Sequence, residues 1–194
     1  MYYPAFLNLK NRRVVLFGGG QVALRKARVL VKCGANLIVI SRDFSPSFLR
    51  FARSKRTKLR YGTAIPKKLK ETSLVVAATS DRAFNEKIYT QCVRQGIFVN
   101  VVDDPGHSTF IVPSVLRRGS LQIAISTGGA SPFLAKLLRK KLSKQFGTGY
   151  GRLVKTLSRD RQKTKQSILV QKDRRNRFRR LAQTRLKMLE GKIQ

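Results

Sequence analysis

The junction between Val14-Val15-Leu16-Phe17 and Gly18-Gly19-Gly20 constrains this chain more than any other feature. Four apolar residues with no polar one among them predict a strand buried on both faces. A strand that runs onto consecutive glycines must turn sharply. Here Gly18, Gly20 and Ala23 fall on the three small positions of the G-x-G-x-x-G/A dinucleotide fingerprint. Each position has its own reason. Gly18 allows the tight turn, Gly20 lets the backbone approach a pyrophosphate, and Ala23 lets the following helix pack closely on the strand. The helix N-terminus then faces the anion. Val22, Ala23, Ala27, Leu30 and Val31 recur at helical spacing as far as Lys32. Cys33-Gly34-Ala35 ends that helix, and Leu37 to Ile40 predicts the next strand. A strand–turn–helix–strand unit of this kind predicts a bound dinucleotide, the plainer alternative being a tight Gly-rich turn between strand and helix.

A second stretch, Val99 to Lys136, carries the candidate chemistry. An apolar strand, Ile97 to Val102, ends on Asp103 and Asp104, and Pro105-Gly106 turns the chain. A short strand is predicted over Thr109 to Val112. Another, Leu121 to Ser126, ends at Thr127-Gly128-Gly129, where a helix opens at Ser131-Pro132. Open α/β sheets bind ligands at the carboxyl ends of their strands, so Asp103 and Asp104 are the first candidates for acid–base work. The plainer alternative is that they cap the turn. His107 is the single histidine, four residues after Asp103; it is either a surface residue or a proton- or metal-handling group. Thr127, Gly128 and Gly129 offer a hydroxyl and backbone N–H groups suited to a carboxylate, or a simple helix cap.

Strands near 13–17, 36–40, 58–61, 74–78 and 97–102 alternate with helices near 21–33, 46–55 and 82–95. This predicts an α/β class, Rossmann-like domain with a parallel sheet over 1–113. Residues 114–146 read as a small dimerisation segment, with Phe133, Leu134, Leu137, Leu138 and Leu142 on one apolar helix face. Gly147 to Gly151 reads as a flexible break. A basic helical C-terminal part, 147–194, follows with helices near 152–165 and 167–190 and a stop at Gly191.

Taken together, these motifs resemble the precorrin-2 dehydrogenase/sirohydrochlorin ferrochelatase family, the dehydrogenase–chelatase part of sirohaem synthase. The resemblance begins at Phe6-Leu-Asn-Leu-Lys10 and continues through GGGQVALRKA (18–27) and Ala77-Ala78-Thr79-Ser80-Asp81. VNVVDDP (99–105), FIVPS (110–114) and ISTGGASPFLAKLLRKKL (125–142) complete it. It implies a Rossmann-like fold, a homodimer, and NAD-dependent oxidation of precorrin-2 to sirohydrochlorin. Some members also insert Fe²⁺ to give sirohaem. The family's essential aspartate maps onto Asp103. NAD contacts would fall on Gly18, Gly20, Gln21, Val22, Ala23, Arg42, Asp43 and Thr79. Substrate contacts would fall on Asn100, His107, Thr127, Gly128, Gly129 and Ser131. At 194 residues the chain is too short for the methyltransferase half of trifunctional sirohaem synthases, so precorrin-2 is expected from a separate enzyme. One departure concerns the cofactor. The second strand ends Ile40-Ser41-Arg42-Asp43: Asp43 suits the ribose of NAD, whereas Ser41 and Arg42 suit the 2′-phosphate of NADP. The family implies NAD.

Charge sets the remaining limits. Lys and Arg number 42 against 9 Asp and Glu, a net of +33. Residues 136–194 carry 20 of the basic and 3 of the acidic residues. This excess fits a solvated basic surface, attraction of an acidic tetrapyrrole, or contact with phosphates. Phe178 is the only aromatic after Tyr150, which disfavours a base-stacking platform. Nucleic acid is therefore expected only as non-specific electrostatic binding. The alternatives to the leading assignment are a dehydrogenase without chelatase activity, a basic nucleotide-sensing or nucleic-acid-binding Rossmann module, and a tetrapyrrole carrier that has lost catalysis. No apolar run is long enough to span a membrane and no leader is evident, so the expectation is a cytoplasmic protein. Cys33 and Cys92 form no metal or redox motif and are expected to be buried thiols.

Overall fold

The computed structural model describes residues 1–53, 57–66, 69 and 71–191. The chain divides into two compact units, Met1–Val112 and Pro113–Gln194.

The first unit holds five strands: β1 (Arg13–Phe17), β2 (Asn36–Ser41), β3 (Thr57–Tyr61), β4 (Thr72–Ala77) and β5 (Phe98–Val101). They form one parallel sheet in the order β3-β2-β1-β4-β5. Three helices connect them: α1 (Gln21–Lys32), α2 (Pro46–Ala52) and α3 (Arg82–Arg94). Strand alternation divides the core into two layers. Val14 and Leu16 pack with Ala23, Ala27, Leu30 and Phe48 of α1 and α2. Val15 and Phe17 pack with Ile88 and Cys92 of α3. Both faces of β1 are therefore dry, which is why its sequence is a continuous apolar run. The strand order reverses between β1 and β4, the position at which an open α/β sheet forms its ligand crevice.

In the second unit, β6 (Ser114–Arg118) and β7 (Leu121–Ile125) form an antiparallel hairpin, followed by α4 (Pro132–Gln145), α5 (Gly149–Ser167) and α6 (Gln171–Glu190). Arg118 ties hairpin to helix: its guanidinium donates to the carbonyls of Phe146 at 2.8 Å and Ser143 at 3.0 Å, the open C-terminal end of α4. α5 and α6 are joined by an Arg185–Asp160 ion pair at 2.6 Å and by Arg161 stacked over Phe178.

Several expectations are corrected. Thr109–Val112 is not a strand. Instead the hydroxyls of Ser108 and Thr109 accept the N–H groups of Val101 and Val99 at 2.9 and 2.8 Å, and beside one backbone bond, from the Thr109 N–H to the Val99 carbonyl at 2.8 Å, side chains take the donors along the edge of β5. The strand lies further on, at Ser114–Arg118. It pairs with β7 through a two-residue Gly119-Ser120 turn in which Gly119 has φ +59°. Gly149 and Gly151 are not a break but part of the first turn of α5. A Cβ at Gly149 would stand 2.7 Å from Leu189, and one at Gly151 would stand 3.0 Å from the Arg118 backbone. Gly191 ends α6 in the right-handed region, at φ −67°. Cys33 is exposed, because it caps α1 on its solvent side. Cys92 is buried, and burial pushes its thiol up to about 12.

Candidate active site

The Gly-rich turn is built by backbone contacts. Gly18 lies at φ +116°, and its N–H donates to the carbonyl of Ile40 at 2.9 Å. A Cβ there would stand 2.5 Å from the Ala78 carbonyl oxygen. Gly19 is more confined: a Cβ would stand 1.9 Å from the carbonyl oxygen of Asp43, and its own carbonyl accepts the Ser45 N–H at 3.0 Å. The turn is thereby clamped between β2 and β4. Gly20 is the opposite case. Nothing lies within 4 Å of a Cβ at this position, and as N-cap of α1 it supplies no side chain to the first helical amides. An open helix N-terminus with no capping side chain is a receptor for an anion. Ala23 is fully buried, as its packing role requires. Gln21 is exposed and donates to the Ser47 hydroxyl at 2.8 Å, and Val22 is half-buried.

A cavity of about 500 Å³ opens at the carboxyl ends of β2, β3 and β4, lined in part by Ser41, Arg42, Thr63, Thr79, Asp81 and Lys87. Arg42 is in it; Asp43 is not among its lining residues. The Thr79 hydroxyl is already committed. It donates to Asn85 Oδ1 at 2.7 Å and accepts from the Asp81 N–H at 3.3 Å, so this residue shapes the loop between β4 and α3. A larger hollow of about 740 Å³ runs along α3 and contains none of the sequence-predicted site residues.

Asp103 stands in the turn after β5, exposed, at φ +61°. The turn is closed by the Asp104 N–H donating to the Val101 carbonyl at 3.3 Å, and aspartate is one of the few residues that tolerates this left-handed backbone. Val102 donates to the Ala77 carbonyl at 2.9 Å and packs with the α1 layer. Lys26, half-buried on α1, feels the charge of Asp103. Burial pushes its ammonium down, Asp103 counteracts that, and Arg25 adds to the lowering. This electrostatic link joins the helix of the Gly-rich turn to the candidate base.

The two aspartates have different surroundings. Asp104 accepts the His107 N–H at 3.2 Å and contacts His107 Nδ1 at 2.8 Å, and its carboxyl is held below the usual carboxylate range chiefly by that side-chain hydrogen bond. His107 is also edge-on to Tyr89 at 5.2 Å, with Nε2 3.9 Å from Glu86. Asp104 is a turn-closing residue, and among the described residues no hydrogen bond comparably engages the Asp103 carboxylate. Asn100 is buried, donates to the Phe110 carbonyl at 3.1 Å, and leaves its Oδ1 without a partner.

The remaining candidates belong to the second unit. Thr127 Oγ1 accepts the Ser131 N–H at 2.9 Å, Ser131 Oγ accepts the Leu134 N–H at 3.2 Å, and Ser126 Oγ accepts the Gly128 N–H at 3.1 Å. Gly128 and Gly129 both have positive φ. The residues that motif matching missed are Gly19, Lys26, Thr63, Ser80 and Lys87. The run of three glycines was the signal for Gly19; Lys26 carried none, since Arg25 and Arg28 flank it in the same helix. Thr63 and Lys87 reach the cavity only through the fold.

Comparison with known proteins bears on this geometry. Residues 5–114 match the family described as "Putative NAD(P)-binding", and residues 118–145 match the "Sirohaem biosynthesis protein central" family. This chain belongs to the "Putative NAD(P)-binding" family. Siroheme synthase 1 of Yersinia pestis (strain Pestoides F) is 39% identical over 174 residues, covering 90% of this chain and 37% of that protein. Siroheme synthase 2 of Aeromonas salmonicida (strain A449) is 42% identical over 174 residues, covering 90% and 36%. The chain thus spans little more than a third of the length of these curated relatives. The structure of SirC, precorrin-2 dehydrogenase, shares the fold. Its TM-score is 0.80 at 22% identity, over 98% of this chain and 100% of that one. Within the NAD(P)-binding family, the clamp at Gly18 and Gly19 and the open α1 N-terminus at Gly20 fit a dinucleotide pyrophosphate. Among the described residues, no helix is long and apolar enough to cross a membrane.

Proposed function

We propose that this chain oxidises precorrin-2 to sirohydrochlorin with NAD⁺ as acceptor. The single observation that carries the reading is the pairing of an uncapped, open helix N-terminus at Gly20 with a free carboxylate, Asp103, at the end of a neighbouring part of the same sheet edge. Bound nicotinamide supplies the hydride acceptor. The chain's own residues do the rest. Gly20, Gln21 and Val22 hold the pyrophosphate at a turn that Gly18 and Ala23 shape by packing, and Arg42 lines the cavity that suits the adenosine end. Asp43 supports the ribose side of the turn through its backbone.

Oxidation removes a hydride and a proton, and Asp103 takes the proton. Among the described residues its carboxylate carries no competing hydrogen bond comparable to that of Asp104, and its charge is felt by Lys26 on α1. In the first unit Asn100 and His107, and in the second Thr127, Gly128, Gly129 and Ser131, are each proposed as substrate contacts. The basic surface attracts the substrate's carboxylates.

The reading extends to three further points. The apolar face of α4, with Phe133, Leu134 and Leu137 exposed on the single chain, suits a second copy and a homodimer within segment 114–146. Insertion of Fe²⁺ into the product would use Asp103 as well, with the tetrapyrrole nitrogens as final ligands. Nucleic acid is held only non-specifically, and the setting is the cytoplasm.

The test is anaerobic turnover of enzymatically generated precorrin-2 with NAD⁺, followed by absorbance of NADH and sirohydrochlorin. Asp103→Asn is expected to lower kcat by about 10²-fold or more while dinucleotide binding persists. Turnover unchanged in this variant would remove Asp103 from the mechanism. Fe²⁺ added to the same sample then reads sirohaem formation directly.

A further inference from the structure

We propose that the cavity at the end of β2 takes a 2′-phosphorylated adenosine ribose, held by Ser41, Arg42 and Lys87, so that this chain accepts NADP⁺ at least as readily as NAD⁺. The inference rests on the dinucleotide reading above and deepens it.

A site that selects the unphosphorylated ribose places a carboxylate at the end of the second strand. It accepts hydrogen bonds from the ribose hydroxyls and repels a 2′-phosphate. Here the last residue of β2 is Ser41, and Arg42 follows it. The nearest acidic residue, Asp43, is absent from the lining of the cavity; its main-chain carbonyl is instead packed against Gly19. The acidic residue that does line the cavity, Asp81, is the N-cap of α3, and its Oδ1 accepts the Phe84 N–H at 2.9 Å. At the end of β2, then, no acidic residue lines the cavity, and the Asp81 carboxylate is turned to the first amides of α3.

What occupies the cavity wall favours a phosphate. Arg42 approaches from the loop after β2 and Lys87 from α3, and both are exposed side chains free to close on a ligand. Neither makes an ion pair in this structure among those found for the described residues. Ser41 and Thr63 add hydroxyl donors. Two cations from different elements with hydroxyls between them form a dianion site, in which a guanidinium supplies paired donors and an ammonium a point charge.

The experiment is equilibrium binding to the full-length protein, stripped of nucleic acid in high salt. Titrants are NADP⁺ and NAD⁺, with adenosine 2′,5′-bisphosphate and 5′-AMP as the pair lacking nicotinamide. The expected result is a wild-type Kd for NADP⁺ equal to or below that for NAD⁺, with the bisphosphate tighter than 5′-AMP. Arg42→Ala should then raise the ratio of the NADP⁺ to the NAD⁺ Kd by about fivefold or more, and Lys87→Gln should raise it in the same direction. NAD⁺ bound more tightly than NADP⁺ by the wild type, or a ratio that stays put in Arg42→Ala, overturns the inference and leaves the dinucleotide reading standing. If neither dinucleotide binds while circular dichroism shows a folded protein, both fall together.

Discussion

Two turns in this molecule look alike in sequence and work in opposite ways. Gly18-Gly19-Gly20 leads from β1 to α1, and Thr127-Gly128-Gly129 leads from β7 toward α4. In the first, two glycines exist because neighbouring backbone leaves no room for a Cβ, and the helix that follows begins without a capping side chain. In the second, Gly128 has open space around it and is needed for its φ of +65°, while Ser126, Thr127 and Ser131 occupy the turn's amides with their hydroxyls. A glycine-rich strand-to-helix turn is therefore not in itself a pyrophosphate site. It becomes one where packing, rather than side chains, fixes the loop and the amides stay free.

The comparison can be broken most severely at Gly19. Gly19→Ala should destabilise the protein by about 3 kcal/mol or more or prevent folding, since a methyl would meet the Asp43 carbonyl, whereas Gly128→Ala should cost only about 1 kcal/mol of left-handed strain. Urea unfolding of both variants decides it, and equal losses would contradict the account. Gly20→Ala sharpens the same contrast from the ligand side. With nothing near its Cβ, stability should hold, while affinity for the dinucleotide falls by about tenfold because the methyl stands where the pyrophosphate approaches. Calorimetric titration beside thermal unfolding separates the two effects.

In the second turn, Ser131→Ala should cost about 1 kcal/mol, the usual value of a lost N-cap, with no change in dinucleotide affinity. A third turn, Asp104 to His107, extends the comparison to a titratable cap. The Asp104 carboxyl lies below its ordinary value in the folded state. Its contribution is therefore present above the unfolded value of about 3.9 and is lost as pH falls through the lower folded value. Asp104→Asn should flatten the acid limb of a stability–pH curve below about pH 4, and the limb should remain unchanged if His107 is held by Tyr89 alone.

Most of the first unit was legible because its signals are local. Val14 to Phe17 has no polar residue, Ala23, Ala27 and Leu30 share one helix face, and Ser45 and Asp81 precede helices they do cap. The failures share a cause. Thr109–Val112 has the composition of a strand, but the hydroxyls just before it satisfy the donors of β5, a long-range arrangement no window of sequence reveals. Of the β6–β7 hairpin, β7 was legible at Leu121 to Ser126, whereas Ser114–Arg118 was not read as a strand, although Gly119-Ser120 is a hairpin signal. Within the site, the resemblance singled out Asp103 from two adjacent carboxylates; the fold adds what no local pattern shows, that His107 comes back onto Asp104. Lys87 was invisible for the same reason: α3 brings it to the end of β2 from a distance of more than forty positions in the chain.

The hydroxyls of Ser108 and Thr109 have a consequence for solubility. A sheet edge with free N–H groups is a template on which another chain can add a strand. By filling the donors of Val99 and Val101 with side-chain oxygens, the chain removes that template from the β5 side without spending a further strand on it. The opposite edge, β3, is guarded differently, by the exposed Lys58 and Arg60. A strand approaching that side meets like charges in a protein of this composition, so the open sheet is protected from growth at one end by chemistry and at the other by repulsion.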